Sequence, residues 1–290
     1  MKPSRFRYVK PGTLDEAFAL LAQYEDDARV LAGGQSLLAG LGMRLANPEV
    51  LVDINGLDHL SGISLDGDEV VIGALTRHVQ VLESDLIAKH LPLVSEAIRS
   101  VAHMAVRNRG TFAGSLAYAD PAAELPACAV ASGATLVLGS AKGKRRVAAS
   151  DFFLDIMDTA LAADELILEI RFPVQANNQR HVFAELSRRH GDFALVGLAG
   201  IISADSQKIT DAKLVYFGCV THPAVAVAMS SALKGRSLGD ALNDSEIQAC
   251  LAQDISPVDN PGMRADTKLT LAAVVTRRQL NSLAEKFTHE

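Results

Sequence analysis

Two stretches decide how the chain reads: Val30-Leu31-Ala32-Gly33-Gly34-Gln35-Ser36-Leu37 and Arg107-Asn108-Arg109-Gly110-Thr111-Phe112-Ala113-Gly114-Ser115-Leu116. Each follows an apolar segment and sets glycines beside hydroxyl-bearing residues. Glycine reaches positive φ without a Cβ penalty, so successive backbone N–H groups can converge on an anion, and a neighbouring hydroxyl adds a donor. Two such loops suit the two phosphates of a dinucleotide. A Gly-Gly pair alone also fits a plain strand-to-helix turn, so the flanking sequence has to decide.

Around the first loop, Thr13 and Glu16 have the spacing of a capping box, and Leu14, Ala17, Phe18, Leu20 and Leu21 repeat with helical period. A strand over 29–32 feeds the loop, a helix is expected over 37–45 until Asn47-Pro48, and 50–54 reads as a strand. After the turn Asp66-Gly67-Asp68 a strand at 69–72 opens a second unit, with helices around 79–84 and 93–102. Residues 134–138 and 146–148 flank a hairpin, and 165–172 form a strand ended by Pro173. The polar run Gln175-Ala176-Asn177-Asn178-Gln179 marks a domain boundary. Beyond it come strands at 181–186, 194–202 and 212–218, then helices around 224–233, 245–251 and 269–287, an α+β pattern with an antiparallel sheet.

The chain has 290 residues, 49% of them hydrophobic, which is enough for proper cores. A formal net charge of -6 argues against a nucleic-acid partner. Cys128, Cys219 and Cys250 lie far apart with no C-x-x-C, so neither an iron–sulfur ligand set nor a zinc signature is present, and they read as buried apolar residues. Neither His103, before the second loop, nor His190 belongs to a pair with metal-ligand spacing. The longest apolar run, 193–202, is shorter than the ~20 residues of a membrane span. The basic N-terminus lacks the apolar core of a signal peptide, so the expected compartment is the cytoplasm. Gly139-x-x-x-Gly143-Lys144 falls short of a P-loop, and G-x-S-x-G and G-x-G-x-x-G are both missing, which removes the usual hydrolase and Rossmann readings.

The second loop continues as Ala117-Tyr118-Ala119-Asp120-Pro121-Ala122-Ala123-Glu124-Leu125-Pro126. The stretch from Val106 to Ala127 resembles the FAD-binding medium subunit of the xanthine dehydrogenase and carbon monoxide dehydrogenase (molybdenum hydroxylase) family. The resemblance runs almost end to end, through Phe6-x-Tyr8-x-x-Pro11, Ser187-Arg188-Arg189-His190-Gly191-Asp192-Phe193-Ala194-Leu195-Val196 and Val274-Val275-Thr276-Arg277-Arg278. It implies an α+β fold: a two-lobed FAD-binding domain of the PCMH type over 1–174, with lobes at about 1–58 and 59–174, then a C-terminal flavoprotein domain over 179–290.

The same resemblance implies where noncovalent FAD sits. Leu31, Ala32, Gly33, Gly34, Gln35, Ser36 and Leu37, with Thr111, Ala113, Gly114 and Ser115, wrap the pyrophosphate, and Ser36, Thr111 and Ser115 supply hydroxyls. Tyr118 and Ile167 belong to the same site, Asp120 and Glu124 accept from ribose or adenine donors, and the Phe193 ring lies near the isoalloxazine. For Asp120 the alternative is a cap on a helix starting near Pro121, and for Phe193 a plain core aromatic. Ala113 stands where relatives carry glycine, so it has either negative φ or strain. The implied function is electron transfer, with no catalytic side chain in this subunit. The implied partners are a small subunit with two 2Fe–2S clusters and a large subunit with the molybdenum cofactor, arranged as a dimer of heterotrimers. Two rivals are a self-sufficient FAD oxidase and an assembly subunit that has lost flavin.

Overall fold

The computed structural model describes residues 2–205, 208–237, 242–260 and 262–288, the side chains of 285–288 excepted. Its first lobe runs β1 (Arg7–Val9), α1 (Leu14–Tyr24), β2 (Ala28–Leu31), α2 (Leu37–Gly42) and β3 (Val50–Asp53). The strands form a parallel sheet in the order β1-β3-β2. The start of α1 is fixed from both sides, since Thr13 Oγ1 accepts from the Glu16 N–H at 3.2 Å and Glu16 Oε2 accepts from the Gly12 N–H at 2.7 Å. Ala17, Phe18 and Leu21 then bury one helical face against β3, each large side chain contributing about 1.5 to 3 kcal/mol. Helix α2 stops at Gly42, before the expected Leu45, and Arg44 with φ +60° turns the chain out of it.

The second lobe comprises β4 (Ile63–Asp66), β5 (Glu69–Gly73), α3 (His78–Leu82), α4 (Asp85–His90), α5 (Pro92–Ala97), α6 (Met104–Arg107), α7 (Phe112–Tyr118) and α8 (Glu124–Ala131). It continues with β6 (Thr135–Ser140), β7 (Gly143–Ala148), α9 (Ala149–Phe152), β8 (Phe153–Asp155), β9 (Asp158–Thr159) and β10 (Leu166–Pro173). Its main sheet has the order β4-β5-β10-β6-β7 and is antiparallel throughout. Strand β10 lies at the centre because its apolar side chains find a partner strand on either edge. The edge strand β4 and the short α4 were not expected from sequence. β4 alternates apolar and polar residues over only four mostly exposed positions, too short a run to announce itself.

The third unit is the sheet β11 (Gln179–Leu186), β12 (Val196–Asp205), β13 (Lys208–Phe217) and β14 (Ala224–Val225), antiparallel in that order. It is followed by α10 (Val227–Leu233), α11 (Asp244–Asp254) and α12 (Ala265–Thr288). The buried Tyr216 hydroxyl bonds Thr276 of α12, which anchors helix to sheet. The other side of this sheet meets the second lobe: Phe183, Ala194, Ala199, Val215 and Phe217 share one core with Phe112, Leu125 and Phe172. Helix α8 is buried on every side because it is clasped between that lobe and the C-terminal sheet, the condition under which an apolar helix needs no polar face. Among the described residues no helix is long and apolar enough to cross a membrane.

Candidate functional site

The two glycine loops meet back to back. A Cβ built on Gly33 would lie 2.5 Å from the Arg109 carbonyl oxygen and 2.7 Å from the Gly110 Cα, so only glycine permits this approach of backbone to backbone. Gly34 has φ +72°, in the left-handed region, and Ser36 follows with φ -100°. A left-handed residue before right-handed ones turns successive N–H groups toward one point, the geometry of an anion nest.

The second loop is held by its own cap. Thr111 Oγ1 accepts from the Gly114 N–H at 3.2 Å and starts α7, and its hydroxyl hydrogen remains for another acceptor. The Gly114 N–H is therefore engaged within the loop. Ala113 lies inside α7 with ordinary negative φ, so it carries no strain.

A brace that sequence reasoning did not find ties the loops together. The Arg77 guanidinium donates to the Arg109 carbonyl and, at 2.6 Å, to Asn55 Oδ1. Asn55 Nδ2 in turn donates to the Ala32 carbonyl at 2.8 Å and to Asp53 Oδ1 at 2.6 Å. Beneath Thr111, the buried His78 ring makes a 3.0 Å Nε2 contact with the Thr111 carbonyl. Since a carbonyl only accepts, Nε2 carries the hydrogen, while Nδ1 is buried with no partner. Burial pushes the His78 pKa down to about 4, helped by nearby Arg107 and Arg77. Arg107 itself caps the Val101 and Ala102 carbonyls at 2.8 and 2.7 Å, which fixes the approach to the loop.

Both loops wall one cavity of about 1230 Å³ that also reaches β10 and the C-terminal unit. Pockets for drug-sized ligands measure about 300 to 1,000 Å³, so this larger space is of dinucleotide scale. Ala32, Gly33, Gly34, Gln35, Ser36, Leu37, Thr111, Ala113, Gly114, Ser115, Tyr118, Asp120, Glu124, Ile167 and Phe193 all line it. Leu31 does not: it lies in β2, its side chain against Gly34 and outside the lining. Phe193 is 72% exposed, which rules out the core-aromatic alternative, and its neighbours Gly191 and Asp192 share the wall. Among the described residues no group of His, Cys, Asp and Glu is arranged to hold a metal.

The acids differ from expectation. Asp120 caps no helix at Pro121; its Oδ1 accepts from the Ala122 N–H at 2.9 Å, closing a turn, and the helix starts only at Glu124. Burial raises the Asp120 pKa. Glu124, buried at the start of α8, is raised further, first by desolvation and then by the neighbouring carboxyl of Glu185 on β11. Glu185 is raised by burial in the same way. Glu124 is thus not the simple ionised acceptor that its residue type suggests.

Residues 4–175 match the family model described as the FAD binding domain in molybdopterin dehydrogenase, and residues 181–283 match the CO dehydrogenase flavoprotein C-terminal domain. The chain is 36% identical over 290 residues to caffeine dehydrogenase subunit beta of Pseudomonas sp. (strain CBB1), covering 100% of this chain and 98% of that one. It is 35% identical over 285 residues to the carbon monoxide dehydrogenase medium chain of Hydrogenophaga pseudoflava, covering 97% and 98%. Among solved structures, carbon monoxide dehydrogenase from Hydrogenophaga pseudoflava superposes with a TM-score of 0.92 at 34% identity, covering 99% of each chain. Quinoline 2-oxidoreductase from Pseudomonas putida 86 gives 0.90 at 32%, again over 99% of each.

Proposed function

The chain belongs to the family of FAD-carrying medium subunits of molybdopterin dehydrogenases, and from that premise we propose how its own residues hold the cofactor and what surrounds it. The observation that carries the reading is the convergence of two distant glycine loops on one cavity of dinucleotide size. The nest at Gly34 to Ser36 and the hydroxyls of Ser36, Thr111 and Ser115 face the pyrophosphate. Oriented dipoles suit a dianion there, and Gly33 lets the two loops close on it together. Tyr118, Asp120 and Glu124 line the stretch beyond the second loop, while Ile167 and Phe193 form an apolar wall for a ring system. FAD, when bound, supplies the redox chemistry by which electrons pass from iron–sulfur clusters of a partner to an external acceptor.

The protein's own work is then to bind, to orient and to exclude water. No side chain needs to form a bond to substrate. The implied partners are a small subunit with two 2Fe–2S clusters and a large subunit with the molybdenum cofactor, in a dimer of heterotrimers in the cytoplasm. The division into an FAD-binding domain over 1–174 and a C-terminal domain over 179–290 follows the break between β10 and β11. A reconstitution tests this reading: the chain alone should oxidise no substrate of its complex, and addition of both partners should restore flavin reduction by substrate. Turnover by the chain alone would favour a self-sufficient oxidase instead.

A further inference from the structure

One face of β11 carries His181, Phe183 and Glu185 at alternate positions, and each crosses to the FAD-binding domain. His181 Nε2 lies 2.9 Å from Glu96 Oε2 on α5, Phe183 enters the shared core, and Glu185 meets Glu124 at the head of α8. The last contact is between two acids. Carboxylates have no hydrogen to donate, so a hydrogen bond between them requires that one proton be present. Glu185 Oε2 is a buried oxygen that no donor reaches, which is the orphan such a proton would satisfy. Glu124 is only 8% exposed, and what remains open faces the cavity.

We propose that Glu185 is a positioning residue: it shares a single proton with Glu124 across the domain seam, so that Glu124 meets the bound cofactor as a neutral acid and not as a carboxylate. The charged groups facing the pair favour the proton. Glu185 and Asp120 both act on Glu124 as like charges, and Glu96, one helix away, is occupied by His181. Like charges in contact, one on the buried Glu124 and one on the half-buried Glu185, do not both ionise at neutral pH, so the pair titrates as a unit. A neutral wall also spares the dianionic pyrophosphate a second repulsive charge beside Asp120. The ligand in this inference rests on the reading of the cleft as an FAD site; the shared proton does not.

The test is a carboxyl titration of the full chain, ¹³C-labelled in glutamate and free of flavin, with Glu124→Gln used to assign the signal. The pair should hold its last proton at least about one pH unit above an ordinary glutamate. Glu185→Gln keeps a hydrogen-bond donor and removes the charge, so the Glu124 midpoint should fall by about one unit or more. FAD affinity of the wild type should drop about tenfold per pH unit above the pair's midpoint, and in Glu185→Gln this dependence should move to lower pH together with the Glu124 midpoint. An ordinary Glu124 midpoint in the wild type, which needs no variant to fold, overturns the proposal. So does a midpoint unmoved by Glu185→Gln, or FAD affinity that ignores the pair's titration. A chain that keeps the raised midpoint but takes no FAD at any pH supports the shared proton and sinks the cleft reading alone.

Discussion

Arg77 and Asn55 are joined by a 2.6 Å hydrogen bond that completes a chain from the Arg109 carbonyl of one glycine loop to the Ala32 carbonyl of the other. The loops belong to different lobes, and this brace sets their spacing. Any ligand gripped by both depends on it.

The first prediction concerns that brace. Asn55→Ala removes the bonds to Arg77 and to Ala32 together, and a lost hydrogen bond to a charged group costs about 1.5 to 3 kcal/mol. FAD affinity should weaken by roughly tenfold or more, with far-ultraviolet circular dichroism unchanged. Titration of apoprotein by flavin fluorescence checks it. Arg77→Lys should fall short of full rescue, since an ammonium cannot reproduce the forked contact.

The second contrasts glycines. Gly33→Ala puts a methyl group against the backbone of Arg109 and Gly110, which no side-chain rotation relieves, and Gly34→Val must hold φ +72°. Strain of this kind costs about 1 to 3 kcal/mol, and both variants should lose flavin by an order of magnitude or more. Gly143→Val is the control. Its site on the β6–β7 hairpin has φ +125° and open space, so it should lower stability somewhat and leave flavin affinity unchanged.

The third is a pH dependence. His78 is held neutral with its pKa lowered to about 4 against an ordinary 6.5. Between those values the unfolded chain binds more protons than the folded one, so stability rises with pH across this window. The contribution is complete above about pH 6.5 and is lost on acidification toward pH 4, by up to about 3 kcal/mol. Urea unfolding at pH 7 and pH 5 should show a smaller difference for His78→Gln than for the wild type. Equal slopes would mean that His78 is not the buried neutral group.

These variants separate what sequence can reveal from what it cannot. Gly33 and Gly34 are legible because their requirement is local, a backbone conformation or approach that other residues resist. The cap at Thr111 is legible for the same reason. Asn55, Arg77 and His78 are not, since they follow β3 and β5 as ordinary polar residues and gain their roles only when the two lobes face each other. Glu185 is hidden more deeply: no spacing rule relates an acid on β11 to one on α8. Arg77 and His78 do follow Gly73-Ala74-Leu75-Thr76 directly, and a polar pair after a buried strand is the one cue that points to them. The family resemblance carried Asp120 and Phe193 to the cavity wall; the turn that Asp120 closes on Ala122 is local and open to a sequence reading, whereas the exposure of the Phe193 ring is set only by the assembled domains.

The most direct test of the central claim is the flavin content of the native complex. The tagged chain should be purified with its partner subunits, its visible spectrum recorded, and the protein precipitated with acid. One FAD per chain released into the supernatant, with a colourless pellet, is the predicted result. A native complex without flavin absorbance, or colour retained by the pellet, would contradict noncovalent FAD in this cleft.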